Sequence, residues 1–285
     1  MEIFRTAGEI REWSRAQKRS GRSVGFVPTM GALHEGHASL LRAAKSQTDS
    51  VVLSIFVNPT QFGPSEDFAK YPRTWDADLE TAHREAVQAV FAPGKNFYPD
   101  GYRTIVRVPD WNSVLEGEIR PVHFDGVTTV VAKLFHSVEP DVAVFGQKDA
   151  QQALLIRRMV KDLDFGLKLV VAPTVREPDG LALSSRNRYL SATDRARAAV
   201  LSRSLLQSTA TWKTGSRNPS VILAAGREEL DRDPPDHIDY FTLLDPDTLR
   251  VLDNEPIWNG AALLVIAARY GQTRLIDNQA LGEVW

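Results

Sequence analysis

The chain has 285 residues, 43% hydrophobic and 25% charged, with Lys+Arg 34 against Asp+Glu 36 for a net charge of −2. These values exclude wholesale disorder, allow one large or two smaller domains, and offer no basic excess to draw the chain to nucleic acid or an anionic membrane. Cysteine is absent, which removes disulfides, thiolate catalysis and Cys-ligated zinc or iron–sulfur centres.

The N-terminal MEIFRTAGEIREWSRAQKRSG is charged throughout and lacks the apolar segment of a secretory signal. The longest purely apolar run, Ala261 to Ala268, is far short of the ~20 residues a bilayer span needs. A soluble cytoplasmic protein is the expectation, with neither a membrane nor a nucleic-acid partner. Val24–Thr29 (VGFVPT) reads as a buried strand, and His37–Thr48 as a helix with Leu40, Leu41, Ala43 and Ala44 on one face. Val51–Val57 is a second, nearly all-apolar strand. Asp76–Val87 reads as a helix, Ala89–Ala92 as a strand, Val127–Val138 as a helix, Asp141–Phe145 as a strand and Asp149–Leu163 as a helix. Leu167–Val175 closes the series. Strand–helix alternation with strands too apolar to face water predicts an α/β fold, a Rossmann-like doubly wound parallel sheet.

From about Glu177 the pattern changes. A helix is predicted over Thr193–Leu206, with Ser191 as a plausible N-cap near its start, and another over Pro219–Leu230. His237–Leu244 and Ala261–Tyr270 read as paired strands separated by the turn-rich Asp245–Gly260. The expected organisation is a domain over residues 1–176 and a smaller α+β C-terminal domain over 177–285.

Four segments carry residues suited to chemistry. After the first strand comes Met30-Gly31-Ala32-Leu33-His34-Glu35-Gly36-His37, a glycine-bearing turn into a helix, where unpaired backbone N–H groups would await an anion. The Gly31-x-x-x-x-Gly36 spacing mimics a P-loop, but His37 and Ala38 stand where lysine and Ser/Thr are needed. His34 and His37, three apart, can lie on one side of the turn and donate to phosphate oxygens. At the end of the next strand, Asn58 and Gln61 offer polar groups to a small substrate. In Gly146-Gln147-Lys148-Asp149-Ala150-Gln151-Gln152, Lys148 suits phosphate, Asp149 sits at a helix N-terminus and Gln152 lies close by. Leu183-Ser184-Ser185-Arg186 places two hydroxyls and a guanidinium in one loop, a set that suits a triphosphate. With neither a Gly-x-Ser-x-Gly elbow nor a cysteine, nucleophilic acyl chemistry has little support. Residue chemistry alone stops at a nucleotide-binding transferase or ligase of unknown substrate.

Taken in order, PTMGALHEGH, SIFVNPTQF, VFGQKDAQQ and LALSSRNRYL resemble the pantoate–β-alanine ligase family of the nucleotidylyl-transferase superfamily. YPRT at Tyr71–Thr74 and RLIDN at Arg274–Asn278 are similar to the same family. The resemblance implies that ATP and pantoate give an enzyme-bound pantoyl adenylate and pyrophosphate, after which β-alanine displaces AMP. It implies Mg2+ with the ATP, a C-terminal lid and a homodimer. It makes Met30 to His37 an ATP loop, His37 a proton donor and His34 its phosphate-binding neighbour. It brings Gly146, Gln147, Lys148 and Asp149 to ATP, with Lys148 on phosphate and Asp149 on ribose. It places Val175, at the end of its strand, against adenine, and closes Leu183, Ser184, Ser185 and Arg186 over the triphosphate. Gln61 and Gln152 would hold pantoate, Gln61 later neighbouring β-alanine. Metal ligands stay unassigned, with Asp76 and Asp78 candidates by placement only.

Overall fold

The computed structural model describes residues 1–64, 66 and 68–285. Strands β1 (Glu2–Phe4), β2 (Val24–Thr29), β3 (Ser50–Ile55), β4 (Ala89–Phe91), β5 (Val142–Gly146) and β6 (Lys168–Ala172) form a sheet in the order β1-β4-β3-β2-β5-β6. Every neighbouring pair is parallel. Helices α1 (Ala7–Arg19), α2 (Glu35–Lys45), α3 (Trp75–Arg84), α4 (Glu116–Ile119), α5 (His123–Val138) and α6 (Ala150–Asp162) punctuate the strands.

Side-chain alternation explains why these strands are apolar throughout. Val24 and Phe26 of β2, Val52 of β3, Phe91 of β4 and Phe145 of β5 share a core with Ile10 of α1 and Val127, Val131 and Leu134 of α5. Val27, Val51, Leu53, Val90 and Val144 enter a second core with Leu41 and Ala44 of α2 and Ala82 of α3. Successive strand residues face opposite ways, so a sheet covered on both sides needs an apolar residue at nearly every position. This is the expected doubly wound sheet. Its strand order reverses between β2 and β5, whose carboxyl ends are Thr29 and Gly146. Such a reversal is where open α/β sheets take their ligands.

The chain divides into two compact units, one of Met1–Gly146 with Gln151–Ala172, the other of Gln147–Ala150 with Pro173–Trp285. The second unit holds α7 (Ala192–Arg197), α8 (Val200–Lys213), α9 (Pro219–Leu230) and the strands β7 (His237–Leu244), β8 (Ala262–Tyr270) and β9 (Thr273–Leu281). The three strands form an antiparallel sheet in chain order. Its core joins Leu201, Leu205, Ile222 and Leu223 of the helices to Leu264 and Ile266 of β8. Among the described residues, no helix is long and apolar enough to cross a membrane.

Several elements depart from the sequence reading. β1 and α1 open the chain, over a segment whose charged residues hide both elements from sequence patterning. α1 is started by a Thr6–Glu9 capping box, and β1 pairs with β4. The single helix expected over Thr193–Leu206 is two, α7 and α8. Ala198, Ala199, Val200 and Leu201 are all buried, and successive residues on one helix point about 100° apart, so one amphipathic face cannot bury all four. The ladder tightens there to a Leu201 N to Ala198 O bond of 3.2 Å. β9 was not predicted, because Asp277 and Asn278 interrupt its apolar pattern.

One close approach sets the first unit's site. Gly126 of α5 abuts the 3-10 turn Pro59–Gln61: a Cβ there would lie 2.5 Å from the Gln61 Cα and from the Thr60 carbonyl oxygen. Only glycine lets the helix and the turn touch. Gly126→Ala is expected to destabilise the protein by about 1–3 kcal/mol, read from the urea midpoint. An unchanged midpoint would show that the turn yields freely.

Candidate active site

The loop from β2 into α2 is built around a buried carboxylate. Asp78 of α3, 2% exposed, accepts the Ala32 N–H at 3.1 Å, the Leu33 N–H at 2.8 Å and the Thr74 hydroxyl at 3.1 Å. Gly31 (φ 85°) and Ala32 (φ 52°) both take left-handed backbone, which turns successive N–H groups toward one point. Gly31 is needed twice, since a Cβ on it would also sit 2.8 Å from the Asp78 carboxylate. Asp78, a metal candidate by placement, is thus the anchor of this loop, and Asp76 is exposed.

His34 is the N-cap of α2, so the helix begins two residues earlier than the sequence reading placed it. Its Nδ1 accepts the Gly36 N–H at 3.1 Å, and the Nδ1 of His37 accepts the His34 N–H at 3.2 Å. The rings lie 4.2 Å apart, centroid to centroid. Gly36 makes room for the fold-back, because a Cβ there would meet His34 Cε1 at 2.8 Å. Each ring whose Nδ1 accepts an N–H carries its proton, when neutral, on Nε2. Five of the backbone N–H groups expected to await an anion are therefore engaged: Gly31 with Thr29 Oγ1, Ala32 and Leu33 with Asp78, His34 and Gly36 with imidazole nitrogens. What the loop brings to the site is a pair of imidazole Nε2–H donors.

Gln61 belongs to the same neighbourhood. It is 6% exposed; its Oε1 accepts from Asn58 Nδ2 at 3.1 Å, and its Nε2 reaches Met30 Sδ at 3.3 Å. The amide thus shows its donor end beside Met30. Asn58 itself is fully buried. It donates also to Gly126 O at 3.0 Å, and accepts the Tyr98 hydroxyl at 2.9 Å and the Thr60 hydroxyl at 3.0 Å. With its hydrogen-bonding capacity filled, Asn58 holds Gln61 and has nothing left for a substrate. Burial pushes the Tyr98 phenol up to about 12, so it stays a hydroxyl donor at neutral pH. Desolvation also lowers the pKa of the nearby Lys133 ammonium, which lies 4.8 Å from the Phe97 ring and 5.2 Å from the Tyr98 ring. Gln152 is half-buried on α6 of the same unit.

The remaining predicted residues, apart from Gly146 at the end of β5, lie in the second unit. Gln147–Asp149 is a 3-10 turn, with Lys148 Nζ 3.8 Å from Asp149 Oδ1. Val175 is not at the end of its strand. β6 stops at Ala172, and Val175 O instead accepts the Leu183 N–H at 2.9 Å beside an Arg176–Ala182 bridge. Ser184 caps the 3-10 helix Ser185–Tyr189 by accepting the Arg186 N–H at 3.2 Å. Arg186 is exposed, and among the described residues no carboxylate pairs with its guanidinium. Asn187 ties this helix to Glu177 at 2.8 Å, and Arg195 reaches Glu177 at 2.6 Å and Asp179 at 2.5 Å. Sequence reasoning missed the roles of Asp78, Tyr98, Gly126 and Asn278. Asp78 stands in the sequence reading only as a metal candidate by placement; beyond that, only YPRT, whose Thr74 bonds Asp78, and RLIDN, which contains Asn278, mark any of them.

A family model described as pantoate-beta-alanine ligase matches residues 2–280. The chain is 57% identical over 263 residues to the pantothenate synthetase of Acidobacterium capsulatum, covering 92% of this chain and 87% of that protein. The solved pantothenate synthetase of Thermus thermophilus matches with a TM-score of 0.90 and 44% identity over 99% of each chain. The pantoate-beta-alanine ligase of Francisella tularensis, solved as a complex with beta-gamma ATP and β-alanine, matches with a TM-score of 0.77 and 33% identity over 98% of this chain and 97% of that one. With its strand order, its paired histidines and these likenesses taken together, the chain belongs to the pantoate–β-alanine ligase family.

Proposed function

We propose that this chain joins pantoate to β-alanine at the expense of ATP, through an enzyme-bound pantoyl adenylate. A pantoate carboxylate oxygen attacks the α-phosphorus, the bond to the bridging oxygen breaks, and pyrophosphate leaves. The β-alanine amine then attacks the acyl carbon, loses a proton and displaces AMP. ATP and β-alanine as substrates are supported by the complex described for the Francisella relative.

The observation that carries the reading is the His34–His37 pair, each Nδ1 engaged by a backbone N–H. Two preset Nε2–H donors suit a transfer in which charge builds on phosphate oxygens and no protein nucleophile is required. His37 acts as the proton donor and His34 as its neighbour on phosphate, within an ATP loop of Met30 to His37. Gln61 offers N–H to the oxygens of pantoate, as its orientation beside Met30 allows, and Gln152 assists. From the smaller domain, residues 177–285, the Leu183–Arg186 segment takes the triphosphate. Lys148 neutralises phosphate, Asp149 takes the ribose, Gly146 and Gln147 flank them, and Val175 meets adenine. Magnesium enters as MgATP, held by substrate phosphates in the ion's usual manner, since three donors already engage the Asp78 carboxylate. A cytoplasmic homodimer belongs to the same reading through the family likeness.

The deciding experiment follows pyrophosphate release from MgATP and pantoate, with and without β-alanine. Pantoate-dependent release is expected, with sustained turnover and AMP formation only when β-alanine is present. Release that ignores pantoate would overturn the substrate assignment. His37→Ala is expected to slow adenylate formation about 100-fold or more and, by removing the acceptor of the His34 N–H, to lower stability by about 0.5–2 kcal/mol; near-normal turnover would remove its role. Asp78→Asn replaces one accepting oxygen with an NH2 group that faces existing donors. It is expected to lower stability by about 1–3 kcal/mol and to slow the first step; wild-type rates in stopped flow would separate loop anchoring from catalysis.

A further inference from the structure

RLIDN, at the middle of β9, stands outside the assignments above. Asn278 is 2% exposed, yet its amide is fully engaged within the second unit. Its Nδ2 donates to Gln147 O at 2.9 Å and to Lys148 O at 3.0 Å, while its Oδ1 accepts from Gln147 Nε2 at 3.1 Å. Two consecutive carbonyls converging on one NH2 group fix the peptide planes on either side of Lys148, and so the direction in which its Cα–Cβ bond leaves the turn. A valine or leucine would serve a buried strand position better; only an amide meets both carbonyls and the Gln147 side chain at once.

Asp277, one residue earlier and so on the opposite face of β9, is 3% exposed. It accepts a forked pair of bonds from Arg176 at 2.6 and 2.9 Å, and Arg176 in turn donates to Gly180 O at 3.0 Å. Asp277 Oδ1 also accepts the Asn278 N–H at 2.8 Å. Two adjacent residues thus hold the turn that carries Lys148 and the excursion that leads to Ser184–Arg186.

We propose that Asn278 is a positioning residue for the reaction, acting through Lys148 by clamping the Gln147–Asp149 turn. The inference rests on the reading of Lys148 as a phosphate ligand. Loss of the clamp lets the turn relax and the lysine swing, so ATP use suffers while pantoate use does not.

The test is a double-mutant cycle on ATP affinity, measured by calorimetry with MgATP, joined to steady-state kinetics with pantoate and β-alanine. Asn278→Ala is expected to weaken ATP binding about tenfold, the loss of one to two hydrogen bonds, with the KM for pantoate unchanged. In a Lys148→Ala background the same substitution is expected to cost almost nothing further. Should Asn278→Ala fail to fold, Asn278→Leu keeps the volume, suits the strand and deletes the amide, with the same expectation. Equal losses in both backgrounds, or equal losses for ATP and pantoate, would reduce Asn278 to a packing residue and overturn the proposal alone. A Lys148→Ala protein that binds ATP as the parent does would instead remove Lys148 from the functional reading, and the inference with it.

Discussion

The buried Asp78 carboxylate is the interaction on which the shape of the loop between β2 and α2 depends. A backbone that runs left-handed through Gly31 and Ala32 turns its N–H groups inward, and alanine adopts that conformation only under constraint. Asp78 supplies the constraint by accepting the Ala32 and Leu33 N–H groups from a neighbouring helix. The chain then enters α2 at His34, and that entry brings the two imidazoles together, tilted at 47° with centroids 4.2 Å apart. Without the carboxylate the inward N–H groups would be buried and unpaired, at a cost comparable to a large part of a domain's net stability. Loop shape follows from one carboxylate held by backbone donors, and the ring orientations then follow from the His34 and Gly36 N–H groups.

The same logic recurs with neutral groups. Asn58 and Asn278 are both essentially sealed from solvent, and each uses its amide to hold a neighbouring segment. Asn58 orients Gln61; Asn278 grips the turn that carries Lys148. Burying an amide is favourable only when its donors and acceptors are met, so each specifies one arrangement of its surroundings and penalises others. Gly126 adds the steric counterpart, a contact that no larger residue permits.

These dependencies explain what the sequence could and could not disclose. Strands such as Val51–Val57 and the α5 face were legible because burial on two sides, or on one helical face, writes a periodic pattern. The HxGH turn and Lys148 stand out as candidates because they follow strands and carry unusual chemistry, whereas Gln61 and the Ser184–Arg186 segment stand out only through the family motifs that contain them. Asp78, Tyr98 and Asn278 act across gaps of 46, 40 and 130 residues, to Ala32, Asn58 and Lys148 respectively. Nothing local in DADLE, NFYPD or IDNQA announces a distant partner. β9 was hidden for the same reason, since its central polar pair lowers strand propensity while serving contacts elsewhere in the fold. The loop's N–H groups were misread because helix-start geometry alone predicts open donors, and only the tertiary structure brings a carboxylate to fill them.

Engaged backbone donors change how such a loop would meet phosphate in the proposed reaction. A P-loop wraps an anion in backbone N–H groups, whose positions are fixed and whose number is large. Here five of the corresponding groups are engaged within the protein, and in the proposed reaction imidazole Nε2–H groups serve in their place. An imidazole differs from a peptide in one respect that matters for adenylyl transfer: it can give up its proton as well as share it. A loop that satisfies its own backbone and projects two such rings exchanges tight ground-state grip for groups able to follow charge as it moves from the attacking carboxylate to the leaving pyrophosphate. Uniform binding of ATP would lower KM without helping the chemical step, whereas donors that strengthen as charge develops act on the barrier itself. The inward-turned backbone is therefore consistent with the proposed ligase chemistry: it leaves phosphate recognition to side chains, of which the two imidazoles are oriented by backbone N–H groups and Lys148 springs from a turn held by Asn278.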